Sequence, residues 1–291
     1  MSQSHPVKSR FAVERLESRE MPAAGGWLVE PFQRGPVSGL PADWRQWSNQ
    51  PGQPTFAVDR AGPGLGDQGR LVSDGTSGTV GRAWVTTPYA ADVEASAAVF
   101  LSSLSPAQVF VRGQNPNGGT PSYYAASVVR GAELQLVRVV AGKSVVLGAV
   151  KSADWINDQW VTVKIRAVGD QLTVYLHRGD TNQYLDSAGK WTRRPVAALD
   201  RADTTIRTGG VVGVARPAAV AGAVALDSLR IGPPGDNRAT PLREERFAQG
   251  TADAVPPGWS RWVGQVRCSS APARTRRSAS PRRAPARRGC G

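Results

Sequence analysis

The sequence predicts an antiparallel all-β sandwich. Three observations carry that prediction. Glycine (32) and proline (22) make up nearly a fifth of the 291 residues, which suits many strands and tight turns and disfavours long helices. Runs rich in β-branched and aromatic residues follow one another at short, regular spacing. Between them no helical apolar period intervenes, and that combination points to a sandwich or barrel.

The elements follow in chain order. Residues 1–26 hold no apolar run of the kind an ordinary secretory signal carries, and are expected to form a disordered leader. "DVEASAAVFLS" (92–102), "AQVFVRG" (107–113), "SYYAASVVRG" (122–131), "AELQLVRVVAG" (132–142) and "SVVLGAV" (144–150) read as consecutive strands. In the fourth, Leu134 and Leu136 share one face and Val137 and Val139 the other. Arg138 takes the next place after Leu136, so the inward face ends there or the strand shifts.

"WVTVKIRAVGDQLTVYLHRGD" (160–180) is a hairpin. Val161, Val163 and Ile165 alternate with polar residues, Gly169-Asp170 makes the turn, and Leu172, Val174 and Leu176 alternate on the way back. "PVAALDRAD" (195–203) is the one stretch with a plausible helical turn. Two further strands close the body, the last ending in Leu229 and Ile231.

These late strands carry a resemblance. "WVTVKIRAVGDQLTVYL" and "AGAVALDSLRI" are similar to the late strands of laminin-G-like, concanavalin-A-like jelly-roll modules. There a Trp opens one strand, a Tyr closes its hairpin partner, and an Asp-x-x-Arg-Ile strand ends the domain. Trp160, Tyr175 and Asp227–Ile231 stand at the matching places. The resemblance spans about Trp27 to Gly232 and implies a jelly-roll β-sandwich domain over those residues. The chain departs from the family at "YLHRGDTNQYLDSAGKWTRR", a longer excursion where many members have an Asp-Gly turn. The leader "RFAVERLESREMPA" resembles a short motif on large secreted bacterial proteins, which implies an extracellular or cell-surface setting.

The chain also repeats itself. "EPFQRGPVSGLPADWRQWSNQ" (30–50) and "ERFAQGTADAVPPGWSRWVGQ" (245–265) share Glu, Phe, Gly, Pro, Trp, Trp and Gln at an offset of 215 residues. That period is one whole sandwich plus a linker, expected at 233–244. Trp44 and Trp47 are expected to pack on their own module. Trp259 and Trp262, in a truncated second module, are expected to be badly packed. Residues 266–291 contain eight Arg, no acid and almost no core-forming residue, so disorder is expected there. This tail supplies +8 of the net +13 and leaves a mildly basic body. It holds both cysteines, Cys268 and Cys290. A shifted reading frame explains it better than selection for nucleic acid, because no aromatic residue is interleaved for base stacking. No run of 18 apolar residues is present, so no membrane span is expected.

Catalysis finds no support. Sandwich-fold glycosidases, the alternative class, need two carboxylates flanking one bond. Glu94 and Glu133 stand alone in their strands, and Asp154 and Asp158 surround a turn. His177 has no second His or Cys for a metal. "RGD" at 178–180 matches an adhesion tripeptide by chance in an Arg- and Gly-rich chain. "DTNQYLD" (180–186) faintly resembles a calcium loop, but Tyr184 fills a ligand place and no bidentate Glu follows. No cofactor is therefore expected.

A non-catalytic recognition or structural module, with a glycan or protein ligand at one rim, fits better. The candidate contacts are Arg112 and Asn115 in the loop "VRGQNPNGG", Tyr123 and Tyr124, and Asp180, Asn182, Tyr184, Asp186 and Trp191 in the inserted hairpin. Tyr123 and Tyr124 are adjacent in a strand and must face opposite ways. The competing assignment makes Trp155 and Trp160 core, with Tyr184 and Trp191 stapling their own loop.

Overall fold

The computed structural model describes residues 28–235, except 31, 33–38, 51–54, 61–68, 74 and 219–220. The expectations for the leader, for the segment from 236 onward with Trp259, Trp262, Cys268 and Cys290, and for the repeat's second copy lie outside the described residues.

Among the described residues the chain forms strands and no helix. In order they are β1 (Leu28–Glu30), β2 (Trp44–Ser48), β3 (Ala57–Asp59), β4 (Arg70–Ser73), β5 (Gly81–Val85), β6 (Val93–Phe100), β7 (Ala107–Gln114), β8 (Ser122–Val129) and β9 (Glu133–Val140). Then come β10 (Lys143–Lys151), β11 (Trp160–Val168), β12 (Gln171–Arg178), β13 (Gln183–Leu185), β14 (Trp191–Thr192), β15 (Leu199–Ala202), β16 (Val211–Arg216) and β17 (Val224–Gly232). They form two antiparallel sheets of a jelly-roll sandwich. A seven-stranded sheet runs β10-β9-β8-β7-β16-β5-β2. A ten-stranded sheet runs β14-β13-β12-β11-β6-β17-β4-β3, with β1 on β17 and β15 on β12.

The core lies between the sheets. Val161, Val163 and Ile165 of β11 and Leu172, Val174 and Leu176 of β12 are all buried there, as their alternation requires. Leu134, Leu136, Tyr124, Val109, Leu229 and Ile231 meet them. The inward face of β9 ends at Arg138, and the register shift falls instead in β10, between Val146 and Gly148.

A second apolar layer lies on the outer face of the seven-stranded sheet. Trp84, Phe110, Tyr123, Val137 and Val139 pack there, with Phe110 and Tyr123 rings 4.9 Å apart. The loop after β7 folds back over this layer. Arg82 anchors it by donating to the Pro116 carbonyl at 2.9 Å and to the Gly118 carbonyl. Trp44 sits in the main core against Phe32, and Trp47 lies on the outer face with the Arg82 guanidinium 4.1 Å from its ring. Both pack on their own module, as the sequence suggested.

Three expectations are corrected. Residues 195–203 form no helical turn: Leu199–Ala202 is a strand on the edge of β12, and Leu199 is buried. An edge backbone that can pair, plus one buried Leu, outweighs the helical preference of three alanines in so short a stretch. Arg112 lies in a strand, not a loop. Trp155 is not core: it is 62% exposed, and Ile156 takes the inward place beside it.

Candidate functional site

The predicted contact residues divide between the two ends of the sandwich. Arg112 reaches Gly169, at the far end of β11, whereas Arg178 and Asp180 lie beside Gln159, at its start. Nine residues of strand separate those ends, about 30 Å at 3.3 Å per residue.

The Arg112 end is closed. Arg112 has φ +54 in a bulge of β7, where the register shifts between Val111 and Gln114. The bulge turns its side chain inward, and it is fully buried. Its guanidinium donates to the carbonyls of Ala91 (2.7 Å), Ile206 (2.8 Å) and Gly169 (2.7 Å), and Asp92 lies 3.8 Å away. Burial lowers its pKa, with Tyr124 and Asp92 opposing. Tyr124 points into the core. Its hydroxyl donates to Asp203 Oδ1 at 2.5 Å and accepts from the Ile206 N–H at 2.9 Å. Burial and the Asp203 hydrogen bond push its pKa up to about 12. Arg138 pairs with Asp203 at 2.6 Å. Burial pushes the Asp203 carboxyl up, but the hydrogen bonds from Tyr124 and Thr205 and the Arg138 charge outweigh it, and the pKa falls. Asn115 is exposed, with φ +50, where β7 ends. Tyr123 is buried on the opposite face, as strand alternation demands.

The other end is open. Asp180, Asn182, Tyr184, Asp186 and Trp191 do come together there, but largely to hold one another. Asp180 is paired with Arg178 at 2.9 Å, and Asn182 Oδ1 meets His177 Nε2 at 3.0 Å. Asp186 accepts from the N–H groups of Ala188 and Lys190. Tyr184 is buried with its ring 4.5 Å from that of His177. Trp191 donates through Nε1 to Ser152 Oγ at 2.8 Å, and Arg178 lies 5.2 Å from its ring. Among the described residues, no group of three or more His, Cys, Asp or Glu is placed to hold a metal ion.

Sequence reasoning missed what projects from this rim. The segment 152–159 links β10 to β11. It is fixed by hydrogen bonds from Gly131 N–H to the Ile156 carbonyl (2.7 Å), from Asp158 N–H to Leu101 (2.9 Å) and from Ala153 N–H to Gly189 (2.8 Å). Ile156 plugs the core and Trp155 is carried outward. The indole lies over Gly131, where a Cβ would come within 2.6 Å of the ring, and Gly131 has φ +88. Only glycine meets both conditions. Arg130 lies 5.9 Å from the same ring, and Leu104, 49% exposed, neighbours it through the Arg130 N–H to Ser103 hydrogen bond. Arg130 Nε and Asn157 Oδ1 are buried without a hydrogen-bond partner among the described residues. The polar flanks in "DWIND" were the available signal. Tryptophan in a turn has no strand face to bury it.

This rim thus offers an exposed indole held over Gly131, with the Arg130 guanidinium 5.9 Å from the ring and Asp154 exposed next to it in sequence. It can stack a flat apolar surface and hydrogen-bond hydroxyls around it.

No protein-family model matches the chain, and no curated protein matches it in sequence. Solved structures resemble it in fold. The carbohydrate binding module CBM66 from Bacillus subtilis is 14% identical, covering 67% of this chain and 99% of its own, with a TM-score of 0.45. The exoplasmic/lumenal domain of VIP36 in a Ca2+/Man-bound form is 14% identical, covering 72% and 90%, with a TM-score of 0.47. The carbohydrate recognition domain of Emp47p is 11% identical, covering 71% and 95%, with a TM-score of 0.44.

Proposed function

We propose that this chain is a non-catalytic recognition module of a secreted or surface protein, and that it holds a glycan at the Trp155 rim. The observation that carries the reading is the exposed indole. An indole that is 62% exposed yet locked over Gly131 forgoes burial while keeping its orientation. A sugar ring presents an apolar C–H face that such an indole can cover, and Arg130 and the exposed Asp154 stand beside it to meet hydroxyls. Glu94 supports the non-catalytic part, since it is paired with Lys164 at 3.6 Å instead of facing a second carboxylate. No helix among the described residues is long and apolar enough to cross a membrane. The module is taken to run from Trp27 to Gly232, with a second copy beginning at Glu245.

A glycan array probed with the full chain tests the reading. At least one glycan should bind, and Trp155→Ala should abolish that signal while leaving the circular dichroism spectrum unchanged. Binding that survives Trp155→Ala would remove the rim from the account.

A further inference from the structure

Asn117-Gly118 is the one Asn-Gly dipeptide in the chain, and its conformation gives the pair no structural task. Asn-Gly ordinarily serves a tight hairpin turn in which both residues take positive φ. Here neither does, and within residues 115–120 only Asn115 has positive φ. A Cβ on Gly118 would meet no atom within 4 Å, so packing does not require glycine either. Asn117 is exposed, and neither its side chain nor the Gly118 N–H makes a hydrogen bond among the described residues.

The loop is held by its flanks instead. The Arg82 guanidinium donates from Nε to the Pro116 carbonyl at 2.9 Å and from Nη2 to the Gly118 carbonyl. One side chain thus clamps the carbonyls on both sides of Asn117. The loop's far foot is tied by the Gly142 N–H to the Pro121 carbonyl at 2.8 Å and by the Ala141 N–H to Ser122 Oγ at 3.0 Å. Arg82 is buried and lies 4.1 Å from the Trp47 ring, so a change in the clamp reaches an aromatic reporter.

The clamp leaves the Asn117 side chain and the Gly118 nitrogen unengaged, and no Cβ shields that nitrogen. The chemistry open to them is ring closure. The Gly118 nitrogen gives up its proton and bonds to Asn117 Cγ, the Cγ–Nδ2 bond breaks, and Nδ2 leaves as ammonia. Water then adds to either carbonyl of the five-membered imide and breaks that carbon's bond to the ring nitrogen. The product is aspartate, or isoaspartate with the main chain running through Cβ and Cγ. Asn115 is spared, because Pro116 has no N–H.

We propose that Asn117 is a self-modification site, deamidated through the Gly118 nitrogen, and that the product rebuilds the Arg82 clamp. Either product places a carboxylate between two carbonyls held by one guanidinium, and a charged acceptor outcompetes a neutral one. Isoaspartate also lengthens the main chain between those carbonyls by one carbon. The loop gains a negative charge and a new hold on the sheet as the molecule ages. The site stands apart from the Trp155 rim and does not depend on what that rim binds.

Mass mapping of the full chain during incubation in mildly alkaline buffer tests it. Trypsin releases residues 113–130 as one peptide, in which only Asn117 can close a five-membered imide. That peptide should convert to the acid at least about tenfold faster than those holding Asn49, Asn157 or Asn182, each followed by a residue with a side chain. Gly118→Ala puts its Cβ into open space, so the fold stands, and conversion should slow about tenfold. Tryptophan emission of the parent should change in step with conversion, while that of Gly118→Ala holds over the same time. Conversion no faster than at the other asparagines, or equal in Gly118→Ala, overturns the modification site. Full conversion with unchanged emission overturns the rebuilt clamp.

Discussion

The two ends of the sandwich are built from the same residue types and put them to opposite uses. Each has an arginine near an aromatic ring, an ion-paired aspartate and an asparagine. At the Arg112 end the polar groups terminate on backbone. The guanidinium takes three carbonyls, the Tyr124 hydroxyl takes one amide and one carboxylate, and little is left for a ligand. At the Trp155 end the backbone groups satisfy one another across loops, and the Trp155 ring remains exposed. One end closes the core and the other carries an exposed ring. A bulge in one strand, and a glycine with positive φ in one turn, decide which is which.

The sharpest way to break this comparison is Arg112→Met. It leaves the carbonyls of Ala91, Ile206 and Gly169 without their buried donor, at a cost of about 3–5 kcal/mol. Chemical denaturation should show that loss. If the variant is as stable as the parent, the closed end does not lock the fold.

Tyr124→Phe is next, at about 1–3 kcal/mol, because Asp203 and the Ile206 N–H both lose a buried partner. It also changes the alkaline limb. The Tyr124 pKa of about 12 lies above that of an unfolded tyrosine, about 10, so the folded state holds the proton more tightly. Its contribution is full below about pH 10 and is lost as pH rises through about 12. Stability of the parent should fall across that window, and Tyr124→Phe should flatten the fall. Parallel pH profiles would refute the assignment.

Gly131→Ala acts at the open end and should cost about 1 kcal/mol, from positive φ and the displaced indole. Its main readout is position. Trp155 emission should shift and glycan binding at the rim should weaken, while the Tyr124 alkaline limb stays put.

How much of this was legible in the sequence follows from the same physics. The hairpin from Trp160 to Arg178 could be read because both strands alternate strictly and one face is buried. Tyr123 and Tyr124 had to part company for the same reason. Arg112 and Trp155 were misplaced because neither obeys alternation. A bulge turns one inward from what reads as a loop, and a turn carries the other outward although tryptophan is ordinarily a core residue. Strand β15 was missed because its pairing depends on a free edge of β12, which lies far off in sequence. The row of polar side chains across β6, β11, β12 and β15 is invisible for a similar reason, since Glu94, Arg166, Thr173 and Asp200 become neighbours only through register.

The smallest expected effect is a matched substitution at the two ends. Asp203 and Asp180 are both paired with arginine, at 2.6 Å and 2.9 Å. Their surroundings differ: the Asp203 side chain is 9% exposed and also holds Tyr124, whereas that of Asp180 is 42% exposed. Burial pushes the Asp180 carboxyl up, but the hydrogen bond and charge of Arg178 outweigh it, and its pKa is lowered. A lowered value means the charged form is favoured on folding. The contribution is therefore present above the unfolded carboxylate range, about pH 3.9, and lost as pH falls through the folded value. Water and salt screen a pair this open, so Asp180→Asn should cost about 0–1 kcal/mol and nothing measurable in about 1 M salt. Asp203→Asn should cost more and keep most of its cost in salt, because its partners are shielded. Equal, salt-sensitive losses at both positions would mean that the two ends are alike and that the closed end owes its rigidity to apolar packing alone.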